Sequence, residues 1–434
     1  MGGVHPSENK LSGAKPIEVL PLPDVVTIPL AQHIGAPAVA KVAKGDKVLT
    51  GQLIAEAGSF MSANIHSPIS GTVTAVDMVV NGQGLRQMMI TIRRDDWAEG
   101  IDRSETIVRE CTLSAQEIVA RIKDAGIVGM GGATFPTHVK LSIPPGKKAE
   151  SLIINGVECE PYLTSDHRTM LEHGEELLVG VTILMKAIAV EKAYIGIENN
   201  KPDAIAHLRR LAQGYKGIEV VPLKVKYPQG AEKQLIYAVT RRKVPCGGLP
   251  ADVGVVVSNV HTAYSVARAV YNGEPSYKRA MTVSGSGVQN PGNFWVRTGT
   301  SYQFIYDTLD KDVSLPEKNV KIISGGPMMG FAQPSMRVCT TKGSSSLLFL
   351  TEQDVENKPR TQCINCAGCA KVCPMHLMPM KIEAAVLSGD WEDAKKYGVL
   401  NCIECGCCAY NCPAKRPLTQ AIRLGKKTIK EKKI

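Results

Sequence analysis

Aromatic side chains are scarce in this chain: 6 Phe, 12 Tyr and 3 Trp make up 5% of 434 residues. Proteins that hold single-stranded nucleic acid stack bases on such rings, so the shortage argues against that class. Long apolar runs are missing as well. The most apolar stretch, Leu177–Val190, is interrupted by Lys186. It falls short of the ~20 residues needed to cross a bilayer, so a buried helix is expected there. Met1–Lys15 lacks the continuous apolar core of an export signal. A place on the cytoplasmic side is therefore expected, with any membrane association peripheral or through partners. Acidic residues are outnumbered, 41 against 51 Lys and Arg, for a net charge of +10. That surplus suits acidic electron carriers, nucleotides or an anionic membrane surface.

What is present points to folded, multidomain protein. Hydrophobic residues reach 44% and charged residues 21%, the balance of globular chains, and the length implies several domains. After a leader (1–24), residues 25–95 read as short strands punctuated by Gly45-Asp46, Gly51-Gln52 and Gly71-Thr72. Lys44–Val48 and Ser67–Val73 resemble the halves of a lipoyl/biotinyl-type barrel-sandwich. Carrier domains of that type present a lysine at a hairpin tip. Here the tip, Ala57-Gly58-Ser59-Phe60-Met61, has none, so a structural or docking module is expected.

From 110 to 275 the texture changes. Ser114 with Glu117 three residues on is a helix-capping pattern. Strand candidates Ser151–Ile154, Ala193–Ile197, Glu219–Val225 and Val253–Ser258 alternate with helices near Glu172–Ala189, Pro202–Ala212, Ala231–Arg241 and Thr262–Tyr271. That alternation predicts an α/β domain with a mainly parallel sheet. Residues 276–340 read as a small β-grasp-like module, with strands around Asn290-Pro291-Gly292 and then a helix. Thr341–Glu356 is expected to connect it to a cysteine-rich C-terminal domain (341–434). There a helical hairpin, Met378–Tyr397, separates two cysteine runs, and the basic tail beyond Pro417 is expected to fray.

Of 13 cysteines, nine lie between Cys363 and Cys412. Cys363, Cys366, Cys369 and Cys373 precede Pro374; Cys402, Cys405, Cys408 and Cys412 precede Pro413. This is the bacterial two-cluster ferredoxin spacing, in which the fourth cysteine of each run serves the other cluster. One [4Fe-4S] cluster is thus expected on Cys363, Cys366, Cys369 and Cys412, the other on Cys402, Cys405, Cys408 and Cys373. Paired Cys-x-x-Cys motifs also make zinc sites, but two complete runs, each closed by proline, fit iron and sulfur better. Cys407 is out of register and is expected beside its cluster.

Gly129, Gly131 and Gly132 sit in a glycine-rich loop that continues through Phe135 to Lys140. Bare backbone there admits a ligand, and a lysine neutralises phosphate; an ordinary turn is the plainer account. Asn155-Gly156-Val157-Glu158-Cys159-Glu160-Pro161 and Asn259 each follow a predicted strand, where open α/β sheets bind ligands. A solvated acidic loop and a helix N-cap are the plainer accounts of these two. The three segments in this order resemble the flavin and NADH site of the respiratory complex I flavoprotein subunit. With the N-terminal barrel and the double-cluster ferredoxin, the chain from Ile28 to Pro413 resembles the RnfC subunit of the Rnf electron-transport complexes. Glu158–Tyr162 and Asp166-His167-Arg168 strengthen that match.

The resemblance implies a fold of four parts: barrel-sandwich, Rossmann-like flavin/NADH domain, soluble-ligand-binding β-grasp module and α-helical ferredoxin. It implies that Gly129, Gly131, Gly132, Lys140, Asn155, Gly230 and Asn259 cradle non-covalent FMN. Glu158 lies among them, and Phe135, Glu160 and Glu232 face NAD(H). Two departures stand out. Met130 replaces an arginine between glycines of the complex I family, and Ala231-Glu232 replaces paired glutamates. The implied partners are the other subunits of a membrane-bound complex that exchanges electrons between ferredoxin and NAD⁺ while moving sodium ions or protons. A microcompartment-type cobalamin reductase and a nucleotide-free electron-wire subunit are the alternatives.

Overall fold

A computed structural model describes residues 2–82, 84–95, 111–309, 320–355 and 358–432. In the N-terminal β module, Val25–Pro29, Arg86–Arg94, Gly71–Val80 and Lys47–Val48 form one antiparallel sheet. Val39–Ala40, Leu53–Glu56 and Ile65–His66 form a second. Alternation drives Val26, Ile28, Ile90 and Ile92 into one core with Ile54 and Ile65. The lysine-free tip turns toward the next domain, where His138 Nε2 donates to the Phe60 carbonyl at 3.0 Å.

The α/β domain opens with helix Ala115–Asp124, whose Ser114–Glu117 capping box is formed. Its four strands are all parallel, in the order Ile218–Leu223, Ala193–Glu198, Ser151–Asn155, Val255–Asn259. The chain steps outward through the first three in sequence and returns to the opposite edge for the fourth. Winding therefore reverses between Ser151–Asn155 and Val255–Asn259, and the two strand ends, Asn155 and Asn259, are register partners. Such a reversal leaves a crevice beyond the carboxyl ends of the strands. One face of the sheet packs on helices Gly174–Ala187, Pro202–Ala212 and Val260–Asn272. The other takes helix Glu232–Thr240, through Leu235 and Ile236. The single helix expected over Glu172–Ala189 is two, Ser165–Glu172 and Gly174–Ala187, because His173 leaves helical geometry at φ −125° and ψ 34°.

Three expectations need correction. Residues 1–24 are not a detached leader. Ile17–Val19 pairs in parallel with Asn293–Trp295, and Val4 bridges to Tyr227. The segment Thr341–Glu356 is not a plain connection either. It holds the buried strand Ser346–Leu350, which joins Lys278–Ser284 and Lys321–Ser324 in a six-stranded sheet. That sheet thus runs past residue 340. Finally, the tail does not fray at Pro417. Leu418–Lys432 is a helix burying Leu418, Ile422 and Ile429 among Ile382, Val386 and Val399. Each such side chain contributes ~1.5–3 kcal/mol of transfer free energy, enough to hold a lysine-rich helix down. The helical hairpin appears as Pro379–Ser388 and Trp391–Lys396.

Candidate functional site

The glycine loop closes on itself before it meets anything else: the Gly129 amide donates to the Phe135 carbonyl at 2.8 Å. Gly131 and Gly132 are left exposed at its crown. Below it, Met130 is fully buried, and its amide donates to Thr262 Oγ1 at 2.9 Å. Where the complex I family carries an arginine, this side chain is part of the core.

Asn259 ends its strand and caps the helix that follows. Its Oδ1 accepts from the amides of His261 (2.9 Å) and Thr262 (3.4 Å), and its Nδ2 donates to Asp166 Oδ2 at 2.7 Å. The capping account is correct, and the same side chain also walls the glycine loop. A Cβ on Gly131 would lie 2.6 Å from Asn259 Nδ2, whereas one on Gly132 would meet nothing within 4 Å. Asn155 Nδ2 donates to the Gly230 carbonyl at 2.8 Å. Lys140 Nζ sits 3.0 Å from Glu232 Oε1 and donates to the Val257 carbonyl at 2.9 Å. Gly131, Asn155, Gly230 and Asn259 thus meet at the switch point, with the Lys140–Glu232 pair beside the last strand. The residues present fit a phosphorylated aromatic cofactor: an open crown of bare backbone, a cation and amide side chains at strand ends.

Glu158 and Glu160 are engaged differently. Glu158, at φ +48°, accepts the amides of Asp166 (2.7 Å) and His167 (3.1 Å) and so caps helix Ser165–Glu172. Glu160 accepts the amides of Met328 (3.0 Å) and Met329 (2.9 Å) and the Tyr227 hydroxyl (3.1 Å). Burial pushes its carboxyl up to about 7 despite those donors. The Tyr227 hydroxyl also lies 2.7 Å from the Cys405 carbonyl, so this loop reaches toward the second cysteine run rather than to Lys140. Underneath, Lys10 Nζ donates to the carbonyls of Glu158, Glu160 and Leu163 at 2.8, 2.9 and 2.7 Å. Enclosure lowers that ammonium's pKa. Lys10, Asp166 and Tyr227 join the site without standing among the cofactor residues that the sequence implies. The family match at Asp166 is their only signal; neither Lys10 nor Tyr227 lies in a motif.

Five cysteines, Cys373, Cys402, Cys405, Cys407 and Cys408, line a single cavity with Ile403, Thr419 and Ile422. The fourth cysteine of the first run thus stands with three of the second, as the spacing implies. Among the described residues no three His, Cys, Asp or Glu side chains converge closely enough for one ion. A lining rich in thiols and free of histidine is the donor chemistry that a cubane takes. Cys407 is fully buried and packs with Cys405, Tyr227 and Val4, with Cys159 at their edge. Reciprocally, Cys369 packs with Cys412, while Cys363 and Cys366 are exposed.

Three family models match parts of the chain. A family model described as the RnfC barrel sandwich hybrid domain matches residues 1–97. The Nuo51 FMN-binding domain matches 122–268, and a 4Fe-4S dicluster domain matches 355–413. The fold resembles that in a crystal structure of an NAD⁺-reducing [NiFe]-hydrogenase, with a TM-score of 0.51 at 18% identity over 76% of this chain and 63% of that one. The chain is 49% identical, over 97% of its length and 92% of the relative, to the C-subunit of the proton-translocating ferredoxin:NAD(+) oxidoreductase complex of Clostridium ljungdahlii. It is 42% identical, over 99% of its length and 96% of the relative, to the Na(+)-translocating counterpart of Acetobacterium woodii. To the C-subunit of the ion-translocating oxidoreductase complex of Rhodobacter capsulatus it is 42% identical over 99% of its length and 83% of the relative. A mixed α/β chain with a barrel-sandwich, an FMN-binding domain and a dicluster domain, matched to these relatives along nearly its whole length, belongs to the RnfC family of Rnf-complex subunits.

Proposed function

We propose that this chain is the NAD(H)-oxidoreducing subunit of a membrane-bound, ion-translocating electron-transport complex, seated peripherally on its cytoplasmic side. The observation that carries the reading is adjacency. The loop after strand Ser151–Asn155 leaves the switch point and reaches the second cysteine run through Glu160, Tyr227 and Cys405. FMN, when bound, exchanges hydride with nicotinamide and single electrons with iron–sulfur clusters, and so joins two chemistries that cannot meet directly.

The residues have separable tasks. Gly129, Gly131 and Gly132 supply bare backbone, Lys140 a cation, and Asn155, Gly230 and Asn259 the floor of the FMN site. Phe135, Glu160 and Glu232 border the nicotinamide nucleotide, and Glu158 holds the acidic loop in shape. Cys402, Cys405, Cys408 and Cys373 would hold the cluster next to the nucleotide domain. Cys363, Cys366, Cys369 and Cys412 would hold the one nearer the surface. The sites thus stand in the order nucleotide site, buried cluster, exposed cluster and partner, a path that serves either direction of flow. In this reading the domains are a barrel-sandwich (25–95) and a Rossmann-like domain to about 275. A β-grasp-type sheet, completed by 17–19 and 346–350, and a ferredoxin domain from 358 follow.

Anaerobic purification with metal, sulfide and flavin analysis tests this. About eight iron atoms per chain are expected, four per cubane, together with equimolar FMN. Stoichiometric zinc without iron, or iron without flavin, would overturn it.

A further inference from the structure

The exposed cysteines of the first run sit in a surface of unusual charge. Residues 358–371 and 409–417 flank Cys363, Cys366, Cys369 and Cys412, and hold Lys358, Arg360, Lys371, Lys415 and Arg416 without one Asp or Glu. The Thr361 amide donates to the Ala414 carbonyl at 3.1 Å, which ties the two segments side by side. Arg416 is committed to Glu383 at 3.1 Å, but Arg360 and Lys371 stand exposed. Ile364, between Cys363 and Cys366, is 65% exposed, and Tyr410 is 51% exposed. The second run differs on both counts. Its Cys405 and Cys407 pack with Tyr227, and Glu404 there is paired with Arg423 and Lys426.

From this we infer that the face around Cys363 and Cys366 is the electron port of the chain, and that it docks an acidic iron–sulfur carrier protein or domain. The inference rests on the cluster assignment above. Exposed apolar side chains interspersed with basic ones suit a partner that must find the site quickly and leave again. Long-range attraction raises the encounter rate, while the short apolar contact limits residence. With a cluster held by these four cysteines, one electron would pass into it from the carrier's reduced cluster. The carrier is oxidised by one electron, and no bond forms or breaks.

The test uses the purified full chain, an acidic two-cubane ferredoxin as probe, and two charge-matched pairs of substitutions. One pair is Arg360→Glu with Lys371→Glu. The control is Arg209→Glu with Arg210→Glu, on the exposed side of helix Pro202–Ala212. Electron transfer from reduced ferredoxin is followed by stopped flow and binding of oxidised ferredoxin by calorimetry; iron content and NADH reduction of uncharged menadione are measured alongside. The port pair is expected to slow association about tenfold or more at low ionic strength. That difference should vanish near ~0.5 M salt. The control pair should stay within about threefold of the parent, and iron and menadione reduction should be unchanged in both. Equal slowing by the two pairs would mean that net charge alone matters and would overturn the port. So would parent protein that ignores ferredoxin but binds anionic-lipid vesicles through Arg360 and Lys371. A parent chain without iron would instead overturn the cluster assignment itself.

Discussion

Gly131 shows how little room the site leaves at the scale of a single residue. Its missing Cβ is what lets Asn259 hold the loop, the helix cap and Asp166 together. Gly131→Leu should therefore abolish flavin retention while leaving iron content intact, as read by fluorescence of flavin released on denaturation. Normal flavin content would refute the placement. Glu160→Gln should raise the KM for NADH several-fold with flavin still bound; equal loss of both would make Glu160 a flavin ligand. It also carries a pH signature. Because the folded carboxyl titrates near 7 against an ordinary 4.5, the native chain holds the extra proton between those values. Glu160's contribution is complete below about 4.5 and is lost as pH rises through 7. The glutamine variant should lack that decline when thermal unfolding is compared at pH 5 and pH 8. Glycines, strand-end amides and cysteine spacing are legible in the sequence because each marks a local geometric demand. Lys10 and Tyr227 are not, since their roles exist only once distant segments meet.

Elements behave in the same way. The capped helix at Ser114 and the parallel strands can be read from caps and apolar runs, because those signals are local. Ile17–Val19 and Ser346–Leu350 cannot, since their partners lie far along the chain. The turn just before Ser346–Leu350 shows what such pairing does. Lys342 is buried, and its Nζ donates to the carbonyls of Asn64 in the barrel (2.5 Å) and Gly126 at the start of the glycine loop (2.7 Å). A Cβ on the next residue, Gly343, would run into Thr134 Cγ2, near the loop's end. One corner thus fixes both ends of the glycine loop. Lys342→Met leaves two buried carbonyls without a donor, at ~1–3 kcal/mol each. It should weaken FMN binding by about tenfold or more, measured by fluorescence titration. Burial lowers Lys342 from 10.5 to about 7. Between those values the unfolded chain binds more protons, so the parent's stability rises with pH there and is lost as pH falls through 7. The methionine variant should lack the rise, and its deficit should widen from neutral to alkaline pH. A constant deficit would place the titration elsewhere.

For the whole molecule, the cysteine exchange between runs makes an early test. Cys373→Ser should damage the cluster beside Tyr227 and Cys369→Ser the exposed one, separable by electron paramagnetic resonance; the reverse pattern would invert the order of transfer. Attachment to the complex is the larger question. Among the described residues no helix is long and apolar enough to cross a membrane, and the chain carries a net charge of +10. An anionic leaflet or acidic subunits attract such a surface by ~1 kcal/mol per basic residue close to it, and salt weakens the attraction within a Debye length. The isolated chain should therefore oxidise NADH with an artificial acceptor, whereas ion transport should appear only when membrane subunits are restored. Moderate salt or a chaotrope should wash it from membranes in the presence of its partners, and progressively more of it as ionic strength rises. Retention that yields only to detergent, in membranes lacking every partner subunit, would defeat the peripheral reading, because screened charge alone cannot produce it.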